Sequence, residues 1–254
     1  MSLLLAFFVA LGVNILMFFP AYFFRTDKLT DISYALTFVL LAGYALFAGG
    51  STTAKVVIFA MVTIWAVRLG SYLLYRIHKM GKDKRFDERR NNFVSFGSFW
   101  ILQGVSVWVV LLPTLFFLQL PSPQLGWVSV LGGLIWAVGL VIETLADWQK
   151  FQFISNPANK GKWIASGVWR FSRHPNYFGE ILVWVGMYLA VVSPLALSTA
   201  LFGLLSPVYI ATLLIFVSGI PLLEKSADAK WGSDPAYQKY KRQTSPLVML
   251  PVRF

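Results

Sequence analysis

Between Glu143 and Gly186 the chain concentrates side chains that can move protons and bind anions. Glu143, Asp147 and Lys150 recur at four- and three-residue steps, so on a helix they share one face. Two acids and a lysine at a helix end suit a polar ligand, although Asp147 and Lys150 also read as an ion pair on a wet helix end. After a basic, aromatic loop, Arg170, Ser172, Arg173, His174, Pro175, Asn176, Tyr177 and Glu180 lead directly into an apolar run. A lipid-facing helix has no use for such a start, because each polar group left unpaired in hydrocarbon costs free energy. Pro175 suits the first helical turn, where its missing N–H does no harm. The free backbone N–H groups there, flanked by Arg170 and Arg173, predict an anion such as phosphate. Asn176 and Glu180, four apart, face the same way. Headgroup binding would account for the two arginines alone, but not for His174, Asn176, Tyr177 and Glu180 beside them.

A second set of polar residues sits earlier in the chain. Trp65, Arg68, Tyr72 and Arg76 recur at three- and four-residue steps and share a helical face. Arg76 and Lys79 can snorkel to headgroups, whereas Arg68 lies deeper, where a guanidinium calls for a partner or a hydrated cavity. Asp31, close to Asp27, Lys28 and Tyr34, stands near a helix start, where capping competes with a role as acid or substrate anchor. Asn14 reads as a hydrogen bond between helices. With no cysteine, and with histidine only at 78 and 174, a metal centre is not expected. Neither a P-loop nor a GxGxxG pattern is present, which excludes a Rossmann-type grip.

The elements that must position these residues are membrane helices. Of 254 residues, 57% are hydrophobic and 13% charged, too apolar for a soluble protein of this size. The fold class expected is an all-α integral membrane protein with seven transmembrane helices, at roughly 2–24, 31–49, 55–78, 95–119, 125–146, 176–193 and 197–223. The first segment lacks a basic n-region and a small-residue cleavage site, so it reads as a retained helix rather than a signal peptide. Basic residues gather in alternate loops and the tail: Lys82, Lys84, Arg85, Arg89 and Arg90, then Lys150, Lys160, Lys162, Arg170 and Arg173, then Lys225 through Arg253. The positive-inside rule then puts the N-terminus outside and the C-terminus in the cytoplasm, with the cavity open to the cytoplasm. The net charge of +11 is assigned to topology, anionic headgroups or cofactor phosphates rather than to nucleic acid. A single domain is expected over residues 1–254, with a cofactor-binding half at roughly 125–254, and a monomer in the lipid bilayer.

The run Gly167-x-Trp169-x-x-Ser172-Arg173-His174-Pro175-Asn176-Tyr177-x-Gly179-Glu180-x-x-x-Trp184, preceded by Glu143-Thr-x-x-Asp147-x-Gln149-Lys150, closely resembles the bacterial membrane family DUF1295. Trp65-x-x-Arg68-Leu69, Gly81-Lys-Asp83-Lys-Arg85, and the tail from Lys230-Trp-Gly232 through Tyr237, Tyr240 and Leu250-Pro251 extend the resemblance. That family is related to the C-terminal region of steroid 5α-reductases, and the superfamily includes isoprenylcysteine carboxyl methyltransferases. The resemblance implies an enzyme of the bacterial inner membrane that uses NADPH to reduce an activated C=C bond in a small, apolar, lipid-like substrate. It implies that Asp147, Asn176 and Glu180 line the dinucleotide, and that Tyr237, Tyr240, Lys241 and Arg242 help hold its phosphates and adenine. Steroid 5α-reductases polarise the ketone with Tyr and Glu from early helices, but here Trp65 stands at the Tyr position and neither of the first two spans holds a Glu. Tyr72, or Tyr34 with Asp31, would then supply the proton beside Arg68. The alternatives are an S-adenosylmethionine-dependent methyltransferase, whose relatives share the His-Pro-x-Tyr element and a Glu near position 224, and a non-catalytic lipid-binding protein. Methyltransferase relatives tend to carry a bulky aromatic where Glu180 stands, which favours reduction.

Overall fold

The computed structural model describes residues 2–80 and 89–251; the motif at 81–85 and Arg253 lie outside the described residues. Among the described residues there are ten α-helices: α1 Leu3–Phe23, α2 Lys28–Ala48, α3 Thr53–Met80, α4 Phe93–Gln119, α5 Trp127–Ser155, α6 Pro175–Val192, α7 Leu197–Gly203, α8 Leu205–Thr212, α9 Ile220–Trp231 and α10 Pro235–Gln243. Seven stretches among the described residues are long and apolar enough to cross a membrane: α1 to α6, and the composite run Leu197–Trp231. The last is interrupted by one π-helical turn, Leu213–Val217. Among the described residues there is no strand, and the only sheet-like pairing is an isolated parallel bridge between Ser172 and Ser245.

The chain divides into two compact units. The first comprises Met1–Ser129 and Ala190–Ser206. Ser2 caps α1 by accepting from the Leu5 amide, and Asn92 caps α4 by accepting from the Ser95 amide. Within this unit α1 packs on α4, α2 on α3 and α4, and α7 on α4. Phe18, Ala21, Phe96 and Trp100 form a buried cluster where α1 meets α4.

Several buried polar side chains of this unit donate to backbone carbonyls, which lowers the cost of holding them in hydrocarbon. Asn14 donates to the Ala10 carbonyl and to Thr37, Gln103 to the Thr30 carbonyl, and Ser206 to the Val110 carbonyl. The expected role of Asn14 between helices is therefore met. Lys55 is fully buried, and its ammonium donates to the carbonyls of Gly49 and Gly50, closing the end of α2. Gly50 has φ +73°, a left-handed turn that glycine takes without strain.

The second unit comprises Val130–Leu189 and Pro207–Phe254. Its frame is the close approach of α5 and α6. A Cβ on Gly179 would fall 2.6 Å from the Glu143 amide nitrogen, and one on Gly186 would fall 2.4 Å from that of Trp136. Glycines let the two backbones touch, the usual device for close helix packing in lipid. The pairing of Glu143 with Gly179 and Trp136 with Gly186 makes the helices antiparallel, and brings Asp147 level with the start of α6.

Candidate functional site

Everything in the second unit that could hold a ligand is built outward from this helix pair. Beyond α5, the short helical turn Gly167–Arg170 folds back onto it. Gly167 has φ +59°, and a side chain there would run into Gln149, whose amide oxygen accepts from the Val168 N–H. Trp169 is buried and donates its indole N–H to the Ala146 carbonyl, while Lys150 stands 4.8 Å over its ring. Segment 171–173 is clasped by the C-terminal tail. Arg173 N–H donates to the Ser245 carbonyl, Ser172 hydroxyl to the Leu247 carbonyl, and Leu250 N–H to the Phe171 carbonyl. Asp234 caps α10, which supplies Tyr237 and Tyr240. The Tyr240 hydroxyl donates to the Trp169 carbonyl at 2.8 Å, and burial pushes its phenol above the ordinary range, so it stays a neutral donor.

At the centre of these elements Glu224 of α9 accepts from three basic side chains. Arg173 approaches it through Nε and Nη2, each at 3.1 Å, His174 Nε2 lies 2.9 Å away, and Lys241 3.3 Å. Such a two-pronged guanidinium–carboxylate pair is among the stronger polar contacts a protein makes. Arg173 also donates through Nη1 to the carbonyls of Lys241 and Thr244. Its guanidinium, expected to meet a phosphate, is thus engaged with α9 and the end of α10. The first amides of the segment are engaged too, Arg173 N–H as above and His174 N–H with the Ser172 hydroxyl.

Beside this cluster lies a cavity of about 260 Å3, walled by Phe153, Trp163, Trp169, Trp231, Tyr237 and Tyr240, with Arg173, His174 and Glu224 on one side and Lys150, Lys162 and Lys230 around it. The rings brace one another: Trp163 lies 5.2 Å from Tyr237 and 6.1 Å from Trp231. Trp231 N–H donates to the Gly161 carbonyl, which anchors the 156–166 loop to α9. Aromatic faces and lysines suit a flat heterocycle with a charged appendage.

The side chains expected to form one site are distributed as follows. Lys150, Arg173, His174, Tyr237 and Tyr240 line the cavity. Lys241 and Arg242 border a smaller hollow of about 180 Å3 behind Arg173, and Lys241 also pairs with Asp228. Glu143 and Asp147, 3% and 7% exposed, are buried along α5 near Asn176, one turn from Glu180 on α6, and none of these four lines the cavity. Asn176 keeps a buried side-chain oxygen with no hydrogen-bond partner. Tyr177 stacks on His174 with centroids 5.6 Å apart, and Arg170 is exposed over Phe171. In the first unit, Arg68 sits 5.7 Å over the Tyr72 ring, Tyr34 packs edge-on against Phe38, and Asp31 pairs with Arg76 at 3.9 Å. Phe153 and Trp163 join the wall without any motif to mark them, Trp231 stands in the Lys230-Trp-Gly232 stretch of the resemblance, and Glu224 is signalled only as the glutamate that methyltransferase relatives carry.

His174 is nearly buried, and that burial lowers its pKa; Lys150 and Arg173 act in the same direction, while the bond to Glu224 opposes it. The folded protein therefore binds fewer protons here than the unfolded chain. The resulting stabilisation is complete above the unfolded value of about 6.5 and disappears as pH falls through the folded pKa. Acid-side melting temperatures of wild type should accordingly fall more steeply than those of His174→Gln, and parallel curves would refute this assignment.

Residues 17–244 match the family described as "Protein of unknown function (DUF1295)". The chain belongs to this family. Over 59 residues, 23% of the chain, it is 41% identical to the protein named "Probable O-methyltransferase ustE" of Ustilaginoidea virens. The match spans 21% of that relative's length. No solved structure matches the chain.

Proposed function

We propose that this DUF1295 protein is a membrane-embedded methyltransferase that binds S-adenosylmethionine in the aromatic cavity and methylates a small, apolar, lipid-like acceptor. The observation that carries this reading is the lining of the cavity. At about 260 Å3 it lies just under the roughly 300 Å3 at which sites for drug-sized ligands begin. Its aromatic faces suit one heterocycle and its lysines a charged appendage.

Trp163, Trp231 and Tyr237 would hold the adenine and favour the sulfonium charge, while Lys150, Lys162 and Lys230 would face the amino-acid carboxylate. S-adenosylmethionine supplies an electrophilic methyl group. The chain supplies a ring-lined wall against which the reacting groups would be held in place. Seven membrane-length helices support a bilayer as the source of that acceptor. The basic loops and tail support a cytoplasmic position for the cavity and the C-terminus. The segment similar to a protein named as an O-methyltransferase supports the same class of reaction.

A second reading, NADPH-dependent reduction of a lipid enone, is favoured by one separate observation. Glu143, Asp147 and the unsatisfied oxygen of Asn176 gather between α5 and α6 without touching the cavity. In that reading Tyr72, Tyr34, Asp31 or Arg68 serves the carbonyl, and Glu180 lies beside the dinucleotide.

Thermal unfolding of the purified protein in detergent separates the readings. A ligand at about 100 times its Kd stabilises by about 2.7 kcal/mol, which for a chain of this size raises Tm by roughly 5–10 °C. S-adenosylhomocysteine is expected to produce that rise and NADPH none. The opposite pattern would establish the reductase, and no rise with either would point to a non-catalytic protein.

A further inference from the structure

The outer face of α5 carries one uninterrupted stripe. From Trp127 the positions Leu131, Leu134, Val138, Val141, Leu145 and Trp148 follow at alternating steps of four and three, so they share a helical face, and all are exposed. At 1.5 Å per residue the two tryptophans stand about 31 Å apart, close to the roughly 30 Å of hydrocarbon in a bilayer. Tryptophan favours the membrane interfaces, so a pair with this spacing fits hydrocarbon between the two rings and headgroups beyond Trp148.

The stripe continues past Trp148 at the same spacing, through Gln152 and Ser155, but there it turns polar and enters an open hollow of about 620 Å3. Besides Trp148, the hollow is lined by Gln149, Gln152, Phe153, Ser155, Asn156 and Ser166. None of these carries a charge, although Lys150 lies within the same stretch and Lys160 and Lys162 follow it. Contact with lipid tails accounts for the apolar stripe. It does not account for an uncharged polar recess at the level where this chain otherwise gathers lysines. Gln149 Oε1 accepts from the Val168 N–H and Asn156 Oδ1 from the Ala158 N–H, which turns the NH2 end of each carboxamide to donation. Such a lining suits the oxygens of hydroxyl and ester groups, and offers a phosphate no cation to offset its desolvation.

The geometry points to this hollow as the headgroup site of a bilayer amphiphile, whose tail lies along α5 between Leu131 and Leu145 and whose uncharged, hydroxyl-bearing head sits among Gln149, Gln152 and Asn156. That this amphiphile is the methyl acceptor rests on the methyltransferase reading. Phe153 lines both the hollow and the aromatic cavity, so the two ligand spaces share a side chain. Trp148, stacked on Phe151 with centroids 6.3 Å apart, stands where tail gives way to head. The lysines are then left to the cofactor, and selection among acceptors falls to the neutral hollow.

The chain has no cysteine, so full-length Gln152→Cys, and Ser233→Cys as a control away from the hollow, each carry a single thiol at an exposed position. In phosphatidylcholine nanodiscs, the rate of labelling by a water-soluble maleimide is measured with a monoacylglycerol as the uncharged probe and with the lysophosphatidate of the same chain length as the anionic one. The monoacylglycerol is expected to slow labelling of Gln152→Cys at least threefold and the lysophosphatidate less than 1.5-fold, with neither changing the rate for Ser233→Cys. Equal slowing by both lipids, slowing at both positions, or no slowing at all overturns the proposal. The measurement needs no cofactor, so its failure leaves the methyltransferase reading standing. If the hollow selects the uncharged lipid while S-adenosylhomocysteine fails to raise Tm, the headgroup site holds and its role as the acceptor site falls.

Discussion

Replacing Glu224 by leucine is expected to destabilise the protein by about 3–5 kcal/mol, and to remove cofactor protection with it. The carboxylate is the shared acceptor of Arg173, His174 and Lys241, and the Arg173 and Glu224 side chains are only 13% and 17% exposed. Removing the anion leaves a mostly buried guanidinium uncompensated, which is far more costly than removing both charges together. Adding Arg173→Met to Glu224→Leu should therefore recover part of the loss. Recovery is incomplete, because Arg173 also satisfies the carbonyls of Lys241 and Thr244. Chemical or thermal unfolding of the two variants checks this. Equal stability of Glu224→Leu and wild type would mean that the cluster holds nothing together.

The other large effect is expected at Gly179. A leucine there drives its Cβ to 2.6 Å from the Glu143 nitrogen and 2.7 Å from the Gly139 carbonyl oxygen, both backbone atoms that cannot rotate away. Overpacking typically costs about 1–3 kcal/mol and more when nothing can yield, so the upper end of that range is the minimum here. Gly133 is the natural control. It lies on α5, and a Cβ added to it would meet nothing within 4 Å, so Gly133→Ala should be neutral or stabilise by up to about 1 kcal/mol. Similar melting temperatures for Gly179→Leu and Gly133→Ala would disprove the close approach of α5 and α6.

These two expectations also mark where sequence reading succeeds and stops. The helices are legible because hydrocarbon demands some 20 apolar residues in a row, and their ends are marked by prolines, glycines and charges. His174 and Arg173 stand out because polar residues are costly at the start of such a helix. What the sequence hides is partnership. Arg173 looks like a phosphate ligand because its acid lies 51 residues further on. The aromatic wall is hidden for the same reason: Phe153 and Trp163 belong to α5 and a loop, Trp231 shows only through the Lys230-Trp-Gly232 resemblance, and tryptophans in a membrane protein are ordinarily read as interface anchors. The glycines do carry a signal of the helix contact. Gly132 and Gly139 on α5, and Gly179 and Gly186 on α6, each lie seven apart and so on one helical face, the pattern that touching backbones require.

The clasp of residues 245–250 over 171–173 has a consequence for biosynthesis. Leu247 follows its partner Ser172 by 75 positions, which at about 5–20 residues per second takes the ribosome roughly 4–15 s. For that interval the segment carrying Arg173 and His174 has been made while Glu224, Lys241 and the tail are still to come. The earlier helices can enter the bilayer during translation, but the ligand chamber has to wait, so nascent chains stalled before residue 245 should be inserted yet unable to bind.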